Sequence, residues 1–195
     1  MNKPAVTAVM LVGCLLAGCA TPTGPVEVTR FSVPEIASTP RGAIAIEPAF
    51  GGSGQDLEFR SYAAAVSQEL ARLGYGERPD APVVAVIDLR REVYRPDRAR
   101  SPVSVGLGGS TGGWGSGVGL GLGFNLSGPP KDQVETQLAV TIRDRASGRS
   151  IWEGKARFTV RADSPLANTP LGAAKMAQAL FQGFPGQSGE TILVK

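Results

Sequence analysis

Residues 134–160 read VETQLAVTIRDRASGRSIWEGKARFTV, and the period of that stretch decides the fold. Val134, Thr136, Leu138, Val140 and Ile142 alternate with Glu135, Gln137, Thr141 and Arg143. Beyond Asp144–Gly148 the pattern resumes, with Trp152, Ala156, Phe158 and Val160 set against Glu153, Lys155, Arg157 and Arg161. Residues two apart in a strand share a face, so each run has an apolar and a polar side, and the turn folds one run back on the other. An Asp heading such a turn accepts hydrogen bonds from backbone amides just after it, which is the role expected of Asp144. Trp152, on the apolar side, is expected to anchor the core.

Other elements surround this hairpin. Gly42–Glu47 reads as a short strand. Phe59, Tyr62, Val66, Leu70 and Leu73 recur at helical spacing, which predicts a helix over about 55–73, with Ser53 as a candidate N-cap and Gly74 closing it. Val83–Ile87 is a β-branched run that reads as a central strand continuing into the charged residues 90–100. Thr169-Pro170 opens a second helix with Leu171, Ala174, Ala177, Phe181 and Phe184 as its stripe and Gly183 with Pro185 as its end. The order β-α-β-β-β-α predicts an α+β domain over 26–195. It is expected to be an antiparallel sheet of about five or six strands with two helices packed on one face, plus a glycine-rich hairpin.

That hairpin comes from residues 101–130, which hold 11 of the 26 glycines and no charged side chain. Val118, Leu120, Leu122, Phe124 and Leu126 alternate with Gly119, Gly121, Gly123 and Asn125, and Val103, Val105 and Leu107 can pair with them. Bare backbone on one face allows close approach of another molecule, so Trp114, Leu120, Leu122 and Phe124 are candidate partner contacts. The glycines do not cradle a phosphate, because no start in the segment satisfies G-x-G-x-x-G. Charge elsewhere is uneven within a net charge of +3. Residues 90–100 carry five basic side chains against two acidic, and 143–161 six against two, so Arg143, Lys155 and Arg157 are candidate contacts for an acidic partner.

Composition closes several chemistries. The 195 residues contain no histidine and two cysteines, which excludes Ser-His-Asp and Cys-His nucleophile systems and His-containing zinc sites. No cofactor or metal is expected. The 42% of hydrophobic residues suffice for a core. Carboxylates such as Asp80, Asp88, Asp132 and Asp163 leave an enzyme acting on envelope glycan or lipid as the alternative to a binding module, but no spacing singles out a pair.

Met1-Asn2-Lys3, the apolar run Ala5–Ala17 and then Leu16-Ala17-Gly18-Cys19 form a secretory signal over 1–18. The last four residues resemble the bacterial lipobox, which implies cleavage before Cys19, acylation of Cys19 and a short tether over 19–25. Ala20 after the cysteine implies, by the same resemblance, the periplasmic face of the outer membrane. With Cys19 lipidated, the expected partners are the membrane and an envelope protein, lipopolysaccharide or acidic glycan; nucleic acid is not expected there.

The helix ending Leu-Ala-Arg-Leu-Gly-Tyr at Tyr75, Pro79-Asp80 before an apolar strand, the glycine/Trp-rich segment, D-x-x-S-G-x-x-I-W-x-G at Asp144–Gly154 and the terminal helix reaching Phe184-Pro185 together resemble the bacterial lipoproteins of the domain of unknown function 4136 family. That resemblance implies a periplasm-facing envelope lipoprotein of α+β fold and brings no assigned catalytic residues. Glu47-Pro48-Ala49-Phe50 departs from the family's frequent aromatic after the first strand.

Overall fold

A computed structural model describes residues 24–37, 41–52, 54–96, 103–108, 119–124 and 131–195, the strands 103–108 and 119–124 by their backbone alone. The expected signal segment, Cys19, Ser53 and Trp114 lie outside the described residues. The strands are β1 (Val26–Ser32), β2 (Ala43–Pro48), β3 (Gly76–Glu77), β4 (Val83–Tyr94), β5 (Val103–Gly108), β6 (Gly119–Phe124), β7 (Gln133–Asp144), β8 (Ser150–Arg161) and β9 (Thr191–Val194); the helices are α1 (Leu57–Arg72) and α2 (Thr169–Phe181).

Seven strands form one sheet in the order β3-β2-β4-β7-β8-β1-β9, and β5 and β6 pair as a separate ribbon. The fold is α+β, but the sheet is mixed rather than antiparallel, and larger than the sequence pattern suggests. β2 runs parallel to both β3 and β4. The reason is the connection: α1 lies between β2 and β4, and a helical crossover returns the chain to the same end of the sheet, as parallel neighbours require. Two further strands extend the sheet beyond β8: β1 pairs antiparallel with β8, and the edge strand β9 pairs antiparallel with β1.

The predicted hairpin is present with its faces as expected. Val134, Thr136, Leu138, Val140 and Ile142 of β7 and Trp152, Ala156, Phe158 and Val160 of β8 are buried. Both helices cover this face, α1 through Tyr62, Val66 and Leu70 and α2 through Ala173, Met176, Ala177, Leu180 and Phe181. The stripe predicted for α2 holds at Ala177, Phe181 and Phe184 and fails in its first turn, where Leu171 and Ala174 face solvent. The turn that leads into α2 leaves no room for a side chain at Gly172, where a Cβ would stand 2.8 Å from the Leu166 carbonyl oxygen. The N-caps also differ from expectation. Asp56 Oδ1 accepts from the Glu58 amide at 2.8 Å, and Asn168 rather than Thr169 precedes α2.

The element Asp144–Gly154 is explained residue by residue as architecture. Asp144 Oδ1 accepts from the Ser147 amide at 2.8 Å and from its hydroxyl at 2.6 Å, which holds this carboxyl below its ordinary range. Gly148 takes φ +70°, a conformation that L side chains rarely adopt. Trp152 is buried, donates from Nε1 to the Pro185 carbonyl at 2.9 Å, and stacks on Phe181 with centroids 5.3 Å apart. Gly154 lies under that indole, where a Cβ would fall 2.3 Å from the ring.

One charge is buried on the helix side. Arg30, in β1, donates from Nε to Leu180 O and from Nη2 to Ala179 O, both at 3.1 Å. Those carbonyls belong to the last turn of α2, which lacks intrahelical donors and carries the negative end of the helix dipole.

Candidate functional site

The face of the sheet opposite the helices buries a small apolar cluster of Ala45, Ala81 and Val84 over β2 and the start of β4 and is polar over β7, β8 and the rest of β4, where the strand register fixes its neighbours. Glu27, Arg157, Gln137 and Arg90 form one cross-strand row over β1, β8, β7 and β4; Thr29, Lys155, Ala139 and Asp88 form the next. Ala139 carries a single methyl where its neighbours carry long polar chains, so the surface dips around it. These residues line a depression of about 270 Å³.

Three cations border the depression. Arg90 Nη2 lies 3.1 Å from Asp88 Oδ2, and Arg157 Nε lies 3.6 Å from Glu135 Oε1. Such exposed pairs are worth about 0–1 kcal/mol, so a bound anion displaces them at little cost. Among the described residues Lys155 forms no ion pair. The Gln137 amide sits between Arg90 and Arg157 in its row and offers neutral donors.

Of the candidate contacts read from the sequence, Lys155 and Arg157 come together here. Arg143 lies on the same face two rows beyond Ala139, paired with Val84 and Ser150, and does not line the depression. Leu120, Leu122 and Phe124 are in β6, in the separate ribbon. Sequence reading assigned no role to Gln137 or Thr29, and it missed Glu27 because β1 went unrecognised. The signal for β1 was present in the alternation of Val26 and Val28 with Glu27 and Thr29, and Arg30 at the next inward position broke its apolar period.

Among the carboxylates, Glu92 and Glu135 are direct cross-strand neighbours on the polar face, with Glu135 lying against Arg157 at 3.6 Å. Asp132 is held by Arg95 at 2.7 Å; Asp163 is held by Arg161 at 2.7 Å and by Lys131, and its carboxyl is lowered to about 2, chiefly by the Arg161 hydrogen bond. Glu27 and Asp88 both border the depression, but three strand spacings separate them, about 14 Å. Glycosidase pairs stand about 5–9.5 Å apart. A second concavity, a shallow trough of about 860 Å³ along α1, is lined by Ile46, Phe59, Ala63, Ala64 and Gln68 among others. It gathers no cluster of like charges.

An uncharacterized protein of Zymomonas mobilis is 28% identical to this chain, the match covering 89% of the chain and 81% of that protein. Among solved structures, a PelC dodecamer from Paraburkholderia phytofirmans shares 15% identity at a TM-score of 0.40, covering 80% of this chain and 96% of that one. A PDZ domain protein from Parabacteroides distasonis shares 10% identity at a TM-score of 0.45, covering 99% of this chain and 43% of that one. Scores this low carry no argument about assembly or ligand. Residues 45–186, from β2 to the glycine after Pro185, match the family described as Domain of unknown function (DUF4136), and the chain belongs to that family.

Proposed function

We propose that this protein is a non-catalytic, lipid-anchored binding module of the cell envelope, held by acylated Cys19 at the periplasmic face of the outer membrane. Its ligand is a polyanion, with lipopolysaccharide phosphates and acidic glycan presenting the same chemistry of clustered anions on a polar carrier. The observation that carries this reading is the arrangement of Arg90, Lys155 and Arg157 around the depression floored by Ala139. Two Arg forks and an ammonium on rigid strands suit anions of more than one oxygen. The engagement of Asp88, Asp132, Glu135 and Asp163 by arginine or lysine favours binding over glycan hydrolysis.

The test is titration of the protein with lipopolysaccharide and with a uronic-acid polysaccharide, before and after Lys155→Glu with Arg157→Glu. Each charge-assisted contact is worth about 1.5–3 kcal/mol, so affinity for one of the two ligands should fall by about tenfold or more. Unchanged affinity for both ligands sinks the assignment of this face. For the anchor, Cys19→Ala should shift the protein out of the membrane fraction and abolish acyl labelling; an unchanged distribution and label refute it.

A further inference from the structure

The β5–β6 ribbon continues the register of the β4–β7 pair. β4 and β7 pair through Tyr94 and Gln133, and β5 and β6 pair from Val103 and Phe124. Eight residues lie between Tyr94 and Val103 and eight between Phe124 and Gln133. Within the ribbon, the pairs Val103–Phe124, Val105–Leu122 and Leu107–Leu120 alternate with Ser104–Gly123, Gly106–Gly121 and Gly108–Gly119. Alternate pairs fall on opposite faces, so one face collects six apolar residues and the other five glycines and a serine.

A two-stranded ribbon is marginal in water, and an apolar face of this kind requires a cover. The ribbon belongs to a sheet separate from the seven-stranded one. Its cover is constrained by charge: residues 101–130 carry no charged side chain in a chain that is 19% charged. Charge is costly where a segment enters the acyl layer and favourable at its edge, so an uncharged ribbon between basic flanks suits the lipid interface. The flanks are net positive, with Arg95, Arg98, Arg100 and Lys131 against Asp97 and Asp132, as suits anionic headgroups. The open edges of two strands cannot be satisfied in hydrocarbon, which sets the depth at the interface rather than across the bilayer.

We infer that the β5–β6 ribbon is a bilayer-contacting element, with the row Val103, Val105, Leu107, Leu120, Leu122 and Phe124 in the lipid interface and the glycine row toward water. This contact is separate from the acyl anchor and from the polyanion face. No helix among the described residues is long and apolar enough to cross a membrane, a fact silent on strands.

The test uses the full chain with Cys14→Ser and Cys19→Ser, carrying one new cysteine at a time at 120, 121, 122, 123 or 124. Each is labelled with an environment-sensitive fluorophore and reconstituted in equimolar phosphatidylethanolamine and phosphatidylglycerol vesicles containing nitroxide lipid. Circular dichroism confirms the fold of each variant, and a label at Glu92, on the polar sheet face, gives the aqueous reference. Quenching at 120, 122 and 124 should exceed that at 121 and 123 by about twofold or more, following the strand period. Quenching equal to the Glu92 reference at all five positions overturns the proposal, as does quenching without alternation. With Cys19 replaced no acyl anchor forms, and attachment through the apolar run Ala5–Ala17 would give no alternation along 120–124, so the result stands apart from that of the anchor.

Discussion

Gly154→Ala separates backbone propensity from packing. A glycine within a strand costs chain entropy, and by that measure alone alanine should stabilise the fold by about 0.4–1 kcal/mol. The structure reverses the sign. The new Cβ would stand 2.3 Å from the far edge of the Trp152 ring and 2.8 Å from Leu180 Cδ1. Restoring ordinary contact at about 3.5 Å requires the ring to retreat by about 1 Å. That ring is held by its hydrogen bond to Pro185, by stacking on Phe181 and by Phe184, whose centroid is 5.2 Å away. Overpacking a site with so little freedom costs about 3 kcal/mol, and the entropic gain leaves a net loss of about 2 kcal/mol. For a chain of this size that is a fall in Tm of about 4–8 °C, measured by calorimetry or by circular dichroism. Trp152→Leu opens the space, so the double variant should be less destabilised than the sum of the two single variants by about 1 kcal/mol or more. A Tm unchanged or raised in Gly154→Ala, or strict additivity in the double variant, refutes the account of this glycine as a seat for the indole.

Two further outcomes follow from groups outside the candidate site. Arg30→Met keeps the aliphatic stem but strips the donors from the Ala179 and Leu180 carbonyls, and should lower the denaturant midpoint by an amount equivalent to about 1–3 kcal/mol at unchanged slope; Arg30→Lys should not restore it, since an ammonium lacks the fork that spans both carbonyls. Asp163, with its carboxyl lowered to about 2 from 3.8 by Arg161 and Lys131, stabilises the fold above its unfolded value and loses that contribution as pH falls through about 2. The Tm difference between wild type and Asp163→Asn should therefore be constant at neutral pH and shrink to nothing in strong acid; a difference independent of pH contradicts the ion-pair assignment.

The parts of this fold legible in the sequence are those where one period acts alone. β7 and β8 share eleven ladder pairs and alternate apolar with polar residues, so their faces, their turn and the outward course of Lys155 and Arg157 could be read directly. The first turn of the α2 stripe was misread because its inward positions are small: Gly172 and Ala173 face the core and apolar Leu171 faces water, whereas Ala177 and Phe181 are buried as their spacing predicts. β1 hid its register behind the inward Arg30, whose hydrogen bonds come from the far end of α2 and cannot be seen locally. The parallel pairing of β2 and β4 was implied by the helix between them, but short-range turn signals favoured hairpins. The depression itself depends on registers across four strands, which place Asp88 and Ala139 beside Lys155 although their spacing in sequence says nothing of it.

The place of β1 in the sheet also governs the order in which the domain can assemble. Val28 pairs with Ala156 on one side and Ile192 on the other, so the first strand made finds its partners only among the last. Contacts of such long sequence separation form slowly, because the loop between them must be closed first. During synthesis, β2 through β7 can pair while β1 waits as an unpaired strand. The step that inserts β1 between β8 and β9 then also delivers Arg30 to the end of α2. Closure of this edge thus couples the start of the domain to its finish, and makes the final residues Thr191–Val194 a checkpoint for completed folding.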